Sequence, residues 1–92
     1  MSHKVDFTFF YDPGHGWLRV SIADLEAVNL PLSAISKYSY RDRSGNLYLE
    51  EDCDCQKFID RYQARFDHSP HITESNDGAF IRNLNRVHEI RS

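Results

Sequence analysis

The stretch YDPGHGWL, Tyr11 to Leu18, places a histidine between two glycines, close to an aspartate and to the only tryptophan of the chain. A carboxylate near an imidazole is how general bases are oriented, so Asp12 and His15 could move a proton or hold a metal. The same residue types also build tight turns. Pro13 fixes its own φ, and Gly14 or Gly16 takes positive φ without steric cost. No serine or cysteine sits in a motif that would complete a catalytic set. The segment is therefore expected to be a turn between two strands, with Trp17 at least half buried. A small metal-dependent hydrolase using Asp12 and His15 remains the enzymatic alternative.

Cys53 and Cys55, with His68 and His71, raise the possibility of zinc. Structural zinc sites use pairs separated by two to four residues, whereas a C-x-C pair on a helix points its thiols in different directions. A disulfide between these two cysteines would be strained, which argues for reduced thiols. Cys55 also falls on an apolar stripe, where cysteine behaves as a small hydrophobe. No metal and no cofactor are expected.

The segment LEEDCD concentrates Glu50, Glu51, Asp52 and Asp54 within five positions. A helix N-terminus stabilises one or two carboxylates, and Asp52 is the expected helix cap. The remaining charges repel one another unless solvent or a cationic partner compensates them. The expected recognition surface is Glu50, Glu51, Asp52 and Asp54, flanked by Tyr48 as an exposed aromatic. Arg61, Arg65, Arg82 and Arg86 offer a competing patch for nucleic acid.

These residues must be positioned by a single domain spanning residues 1–92, because a chain of about 100 residues builds one core. Hydrophobic residues make up 40% of the chain and aromatics 13%, enough for a core without disulfides. The net charge of -3 argues against nucleic acid as the partner. No apolar run is long enough to span a membrane, so a cytoplasmic protein is expected.

Val5 to Tyr11 reads as a strand and Trp17 to Val20 as its antiparallel partner. Ser21 and Asp24 form a capping box for a short helix, which Pro31 is expected to end. KYSYRD, RSGN and LYLEE make the clearest hairpin, with Tyr38 and Tyr40 on one face. Cys55, Phe58, Ile59, Tyr62 and Phe66 recur at helical spacing, and Phe58, Ile59 and Tyr62 form the face expected to meet the sheet. In the tail, Ile72 to Glu74 and Phe80-Ile81 are expected to be extended. Leu84 to Ile90 reads as a last helical turn or as extended chain with a loosely held end. The fold class is α+β: an antiparallel sheet of about four strands packed on one main helix and one short helix.

Taken in order, FYDPGHGWLRV, ISKYSYRD, YLEEDCD and CQKFIDRYQARF resemble a group of small uncharacterised proteins encoded by bacteriophages and plasmids. The likeness runs from about Phe10 through Arg82. In that group a small or apolar residue stands at the position of Cys55, which fits a core role for this thiol. The resemblance implies a context rather than a reaction. Small proteins of mobile elements often bind host or phage macromolecules, and some of this size and acidity are inhibitors of host defence, including anti-CRISPR proteins. The expected function is non-enzymatic binding of a host protein in the host cytoplasm, with a CRISPR effector complex as a fitting partner. Such effectors expose basic channels that an acidic surface can occupy. A nucleic-acid accessory protein is the other alternative.

Overall fold

The computed structural model describes residues 3–88. Strand β1 (Asp6–Tyr11) pairs antiparallel with β2 (Gly16–Ser21), placing Phe10 opposite Trp17. The turn between them closes as its composition dictates. The Asp12 amide donates to the His15 carbonyl at 2.9 Å, and Asp12 Oδ1 accepts from the amides of Gly14 and His15, each at 2.9 Å.

Helix α1 (Ile22–Ala27) starts at the expected capping box. Ser21 Oγ accepts from the Asp24 amide at 3.0 Å, and Asp24 Oδ2 accepts from the Ser21 amide at 2.8 Å. It ends before Pro31 acts, however. Asn29 adopts a left-handed φ of 57°, and the amides of Asn29 and Leu30 fold back onto the carbonyls of Glu26 and Leu25. That is a Schellman close, with asparagine taking the left-handed position usually held by glycine. Pro31 instead leads into a 3-10 turn, Leu32–Ala34.

Strands β3 (Tyr40–Arg41) and β4 (Asn46–Glu50) form the expected hairpin, turning at Gly45 with a φ of +89°. Tyr38 lies outside β3 and is exposed, while Tyr40 is buried. Glu51–Cys55 is one turn of wider π-helix, leading into α2 (Gln56–Phe66). The cap here is Glu50 rather than Asp52: Glu50 Oε2 accepts from the amides of Asp52 and Cys53, each at 2.9 Å.

After α2 the chain runs as β5 (His71–Ser75), parallel to β1, with Ile72 beside Phe7. Phe80-Ile81, expected to be extended, lies instead in a 3-10 helix, Gly78–Asn83. Gly78 explains the tight course, since a Cβ there would lie 2.7 Å from the Tyr11 backbone carbonyl. Strand β6 (Asn85–Arg86) then pairs with β3, and residues 89–92 of the expected tail lie outside the described region.

The sheet therefore has six strands in the order β5-β1-β2-β4-β3-β6, mixed rather than antiparallel and larger than the expected four. The parallel pair arises because α2 carries the chain from β4 across one face to the far edge. On that first face Phe7, Leu18, Val20, Leu47 and Leu49 pack with Leu25, Val28, Phe58 and Tyr62, and Ile59 is only partly buried. The reverse face carries Trp17, Tyr40 and Tyr48, closed by Ile81 with Phe10 and Leu84 at the margin. Trp17 is 2% exposed, well beyond the half burial expected. Among the described residues, no helix is long and apolar enough to cross a membrane.

Candidate functional site

The segments singled out in the sequence meet on the reverse face. His15 and Trp17 from the first turn and β2, Tyr38 from the approach to β3, Tyr40 from β3, Glu50 from the end of β4, and Asp52 and Cys53 from the π-helical turn line a hollow of about 290 Å³. Arg82 and Arg86, from the 3-10 helix and β6, complete it. Registry brings the parts together: Trp17 stands opposite Glu50 across β2 and β4, and Tyr40 stands opposite Arg86 across β3 and β6.

Both arginines are held over aromatic rings. The Arg82 guanidinium lies 5.5 Å from the Trp17 ring centre and grips Asp12 in a fork, Nε to Oδ2 at 2.7 Å and NH2 to Oδ1 at 3.2 Å. Arg86 lies 4.3 Å from the Tyr40 ring centre and donates to the Tyr38 carbonyl at 3.0 Å. The Trp17 indole N–H is buried without an acceptor among the described residues.

The catalytic alternative for the turn loses its pairing. Asp12 accepts from the His15 backbone and from Arg82, and none of its hydrogen bonds reaches the His15 ring. The bond from Arg82 is the main reason its carboxyl lies well below the usual carboxylate range. A carboxylate held this way is a weak base.

The acidic segment is divided. Asp54 is fully buried and anchors the loop before β3, accepting from the Ser36 amide at 3.0 Å, the Ser36 hydroxyl at 2.7 Å, the Ser39 hydroxyl and Lys57 Nζ at 3.0 Å. Burial alone would raise its carboxyl, but these donors outweigh burial and hold it below its ordinary value. Glu50 is buried as a cap. Tyr48, expected to be an exposed aromatic, is 3% exposed and donates its hydroxyl to Asp42 at 2.9 Å. Glu51 and Asp52 remain on the surface, and Asp52 lines the hollow. An exposed aromatic, Tyr38 at 48%, lines the hollow with Asp52.

The thiols are poor nucleophiles and poor ligands. Burial, then the neighbouring Glu50 and Asp54 carboxylates, raise Cys53, and burial pushes Cys55 up to about 11. His68 and His71 turn elsewhere, to His3 at 3.0 Å and to Asp6 at 2.8 Å. Among the described residues, no group of three or more His, Cys, Asp or Glu side chains is arranged to hold a metal. The four arginines of the nucleic-acid alternative do not form one patch. Arg61 and Arg65 ride on α2, over the first face, whereas Arg82 and Arg86 flank the hollow on the reverse face.

The sequence marked most of these residues separately but not their meeting. Arg86 reaches the hollow because β6 pairs with β3, and Arg82 because the preceding 3-10 helix folds back to the Asp12 turn, contacts for which such short elements leave no local pattern. Compared with known proteins, the chain matches no family model, no curated protein and no solved structure.

Proposed function

We propose that the protein is a non-enzymatic binding factor of a bacteriophage or other mobile element, which occupies a basic surface on a host protein in the host cytoplasm. A CRISPR effector complex, with its Lys/Arg channel, is a partner class that fits. The observation that carries this reading is the composition of the hollow. Tyr38, Arg82 and Arg86 are of the residue types that dominate binding hot spots, and here they surround one depression, floored by the buried Trp17 and Tyr40, beside the exposed Glu51 and Asp52. The recognition surface is thus revised from the whole acidic segment to its exposed members. Glu50, Asp54 and Tyr48 support that surface from within.

The test is a partner complex measured by calorimetry at low salt. Reversing Glu51→Lys with Asp52→Lys should weaken binding by about tenfold or more, since misplaced charge at an interface costs more than a lost contact. Added salt should weaken the wild-type complex as well. Unchanged affinity in the double reversal would remove the acidic edge from the proposal.

A further inference from the structure

We infer that the hollow receives one basic side chain of the partner, an arginine, held between the exposed Tyr38 ring and Asp52; this rests on the reading of the protein as a binder of a basic surface. The reasoning starts from which charges around the hollow are already engaged. Arg82 is locked on Asp12, and Arg86 donates to the carbonyls of Lys37 and Tyr38 while lying over Tyr40. Glu50 uses Oε2 to cap the helix. Asp52 differs: it is exposed, it lines the hollow, and its carboxylate has no hydrogen bond or ion pair among the described residues. Arg82 is balanced by Asp12 and the Arg86 charge by Glu50, so the charge the rim leaves to a newcomer is the negative one of Asp52.

The shape agrees with that sign. A hollow of about 290 Å³ is small for a drug-sized molecule and has room for one long side chain. Its exposed aromatic wall is Tyr38, 48% exposed, while the buried Tyr40 and Trp17 rings form the floor beneath Arg86 and Arg82. A guanidinium suits such walls better than an ammonium. It is planar, stacks on aromatic faces and meets a carboxylate with two parallel N–H donors. An acidic side chain would find both arginines already holding oxygen acceptors and would face Asp52 and Glu50.

Trp17 supplies the readout, because it is the only tryptophan and lines the hollow. The intact protein is titrated at low salt with the blocked peptide acetyl-Gly-Arg-Gly-amide, and with versions carrying lysine, norleucine or glutamate in place of arginine, while Trp17 fluorescence is followed. The arginine peptide should give a saturable change. Asp52→Asn, a change at an exposed and unbonded side chain, should weaken it about fivefold, the upper range for a single exposed ion pair. Norleucine and glutamate should bind at least about tenfold more weakly than arginine, since each lacks the cation–carboxylate and cation–aromatic contacts. The lysine peptide should fall between arginine and norleucine. Three results overturn the inference: no saturable response to arginine, equal arginine binding in Asp52→Asn, or tighter binding of glutamate. A partner complex that survives while the arginine peptide fails overturns the hollow alone and leaves the binding factor standing. A binding peptide with no partner complex supports the hollow and removes the wider reading.

Discussion

The two faces of the sheet are built on different terms. The first face is closed by α1 and α2 over aliphatic and aromatic side chains, with Leu18, Leu49 and Phe58 fully buried. The reverse face is covered by a single 3-10 turn, and polar groups run among its rings: Arg19 lies 5.0 Å from the Phe10 ring centre, and Tyr48 bonds to Asp42. A face covered by helices can be wholly apolar. A face covered by one short turn leaves an edge open, and there the hollow forms. Stability should therefore reside mainly on the first face and recognition on the second.

The harshest way to break that contrast is Phe58→Ala. Phe58 is 0% exposed and meets Phe7 edge-on at 5.3 Å between ring centres. The change should cost about 3–5 kcal/mol, a large share of the roughly 5–15 kcal/mol holding a domain together. A near-wild-type urea midpoint would mean that α2 is peripheral.

Next in size is Asp54→Ala, which tests the joint between the faces. Its loss leaves the Ser36 amide and the Ser36 and Ser39 hydroxyls without their acceptor, which should cost about 2–3 kcal/mol by denaturation at neutral pH. The pH dependence follows from the depressed carboxyl. Its stabilisation is fully present above the unfolded value, near 3.9, and is lost as pH falls through the lower folded value. The variant should therefore lose less further stability than wild type when acidified below about pH 4.

Gly78→Ala sharpens the comparison from the reverse face. The added Cβ would meet the Tyr11 backbone at 2.7 Å, so the 3-10 turn must shift, at about 1–2 kcal/mol. Because that turn carries Arg82, the Trp17 emission should move along with the melting temperature. A change in melting temperature with no change in emission would separate the turn from the hollow.

The smallest effect concerns the thiols, and it is kinetic. With Cys53 raised and Cys55 pushed up to about 11, alkylation of the native protein at neutral pH should be far slower than that of the unfolded chain. Rapid labelling of Cys53 would show that burial and its carboxylate neighbours do not govern it.

Local chemistry was legible in the sequence where a few adjacent residues decide the outcome. The Asp12 turn, the Ser21–Asp24 box, the Gly45 hairpin and the buried stripe of Phe58 and Tyr62 all belong to this kind. What escaped depends on residues far apart. Nothing near Ile72 announces a parallel partner at Phe7, and nothing near Phe80 says that Tyr11 will press against Gly78. The acidic segment shows the same limit within a few positions. A carboxylate reads as surface until Ser36 and Ser39, brought from an earlier loop, give Asp54 enough donors to be buried.

The pairing of β5 with β1 also sets an order of assembly. Asp6 lies beside His71, so this seam closes a loop of 65 residues, whereas the β1–β2 and β3–β4 hairpins close over short turns. Short closures form first because less chain entropy is lost before contacts reward them. During synthesis β1 emerges before β5, and its outer edge stays unpaired until β5 follows, an interval in which a bare strand edge can recruit the wrong neighbour. A late seam leaves a kinetic signature. Ile72→Val should speed unfolding in proportion to the stability lost and leave the refolding rate almost unchanged, and slowed refolding would place the seam in the nucleus instead.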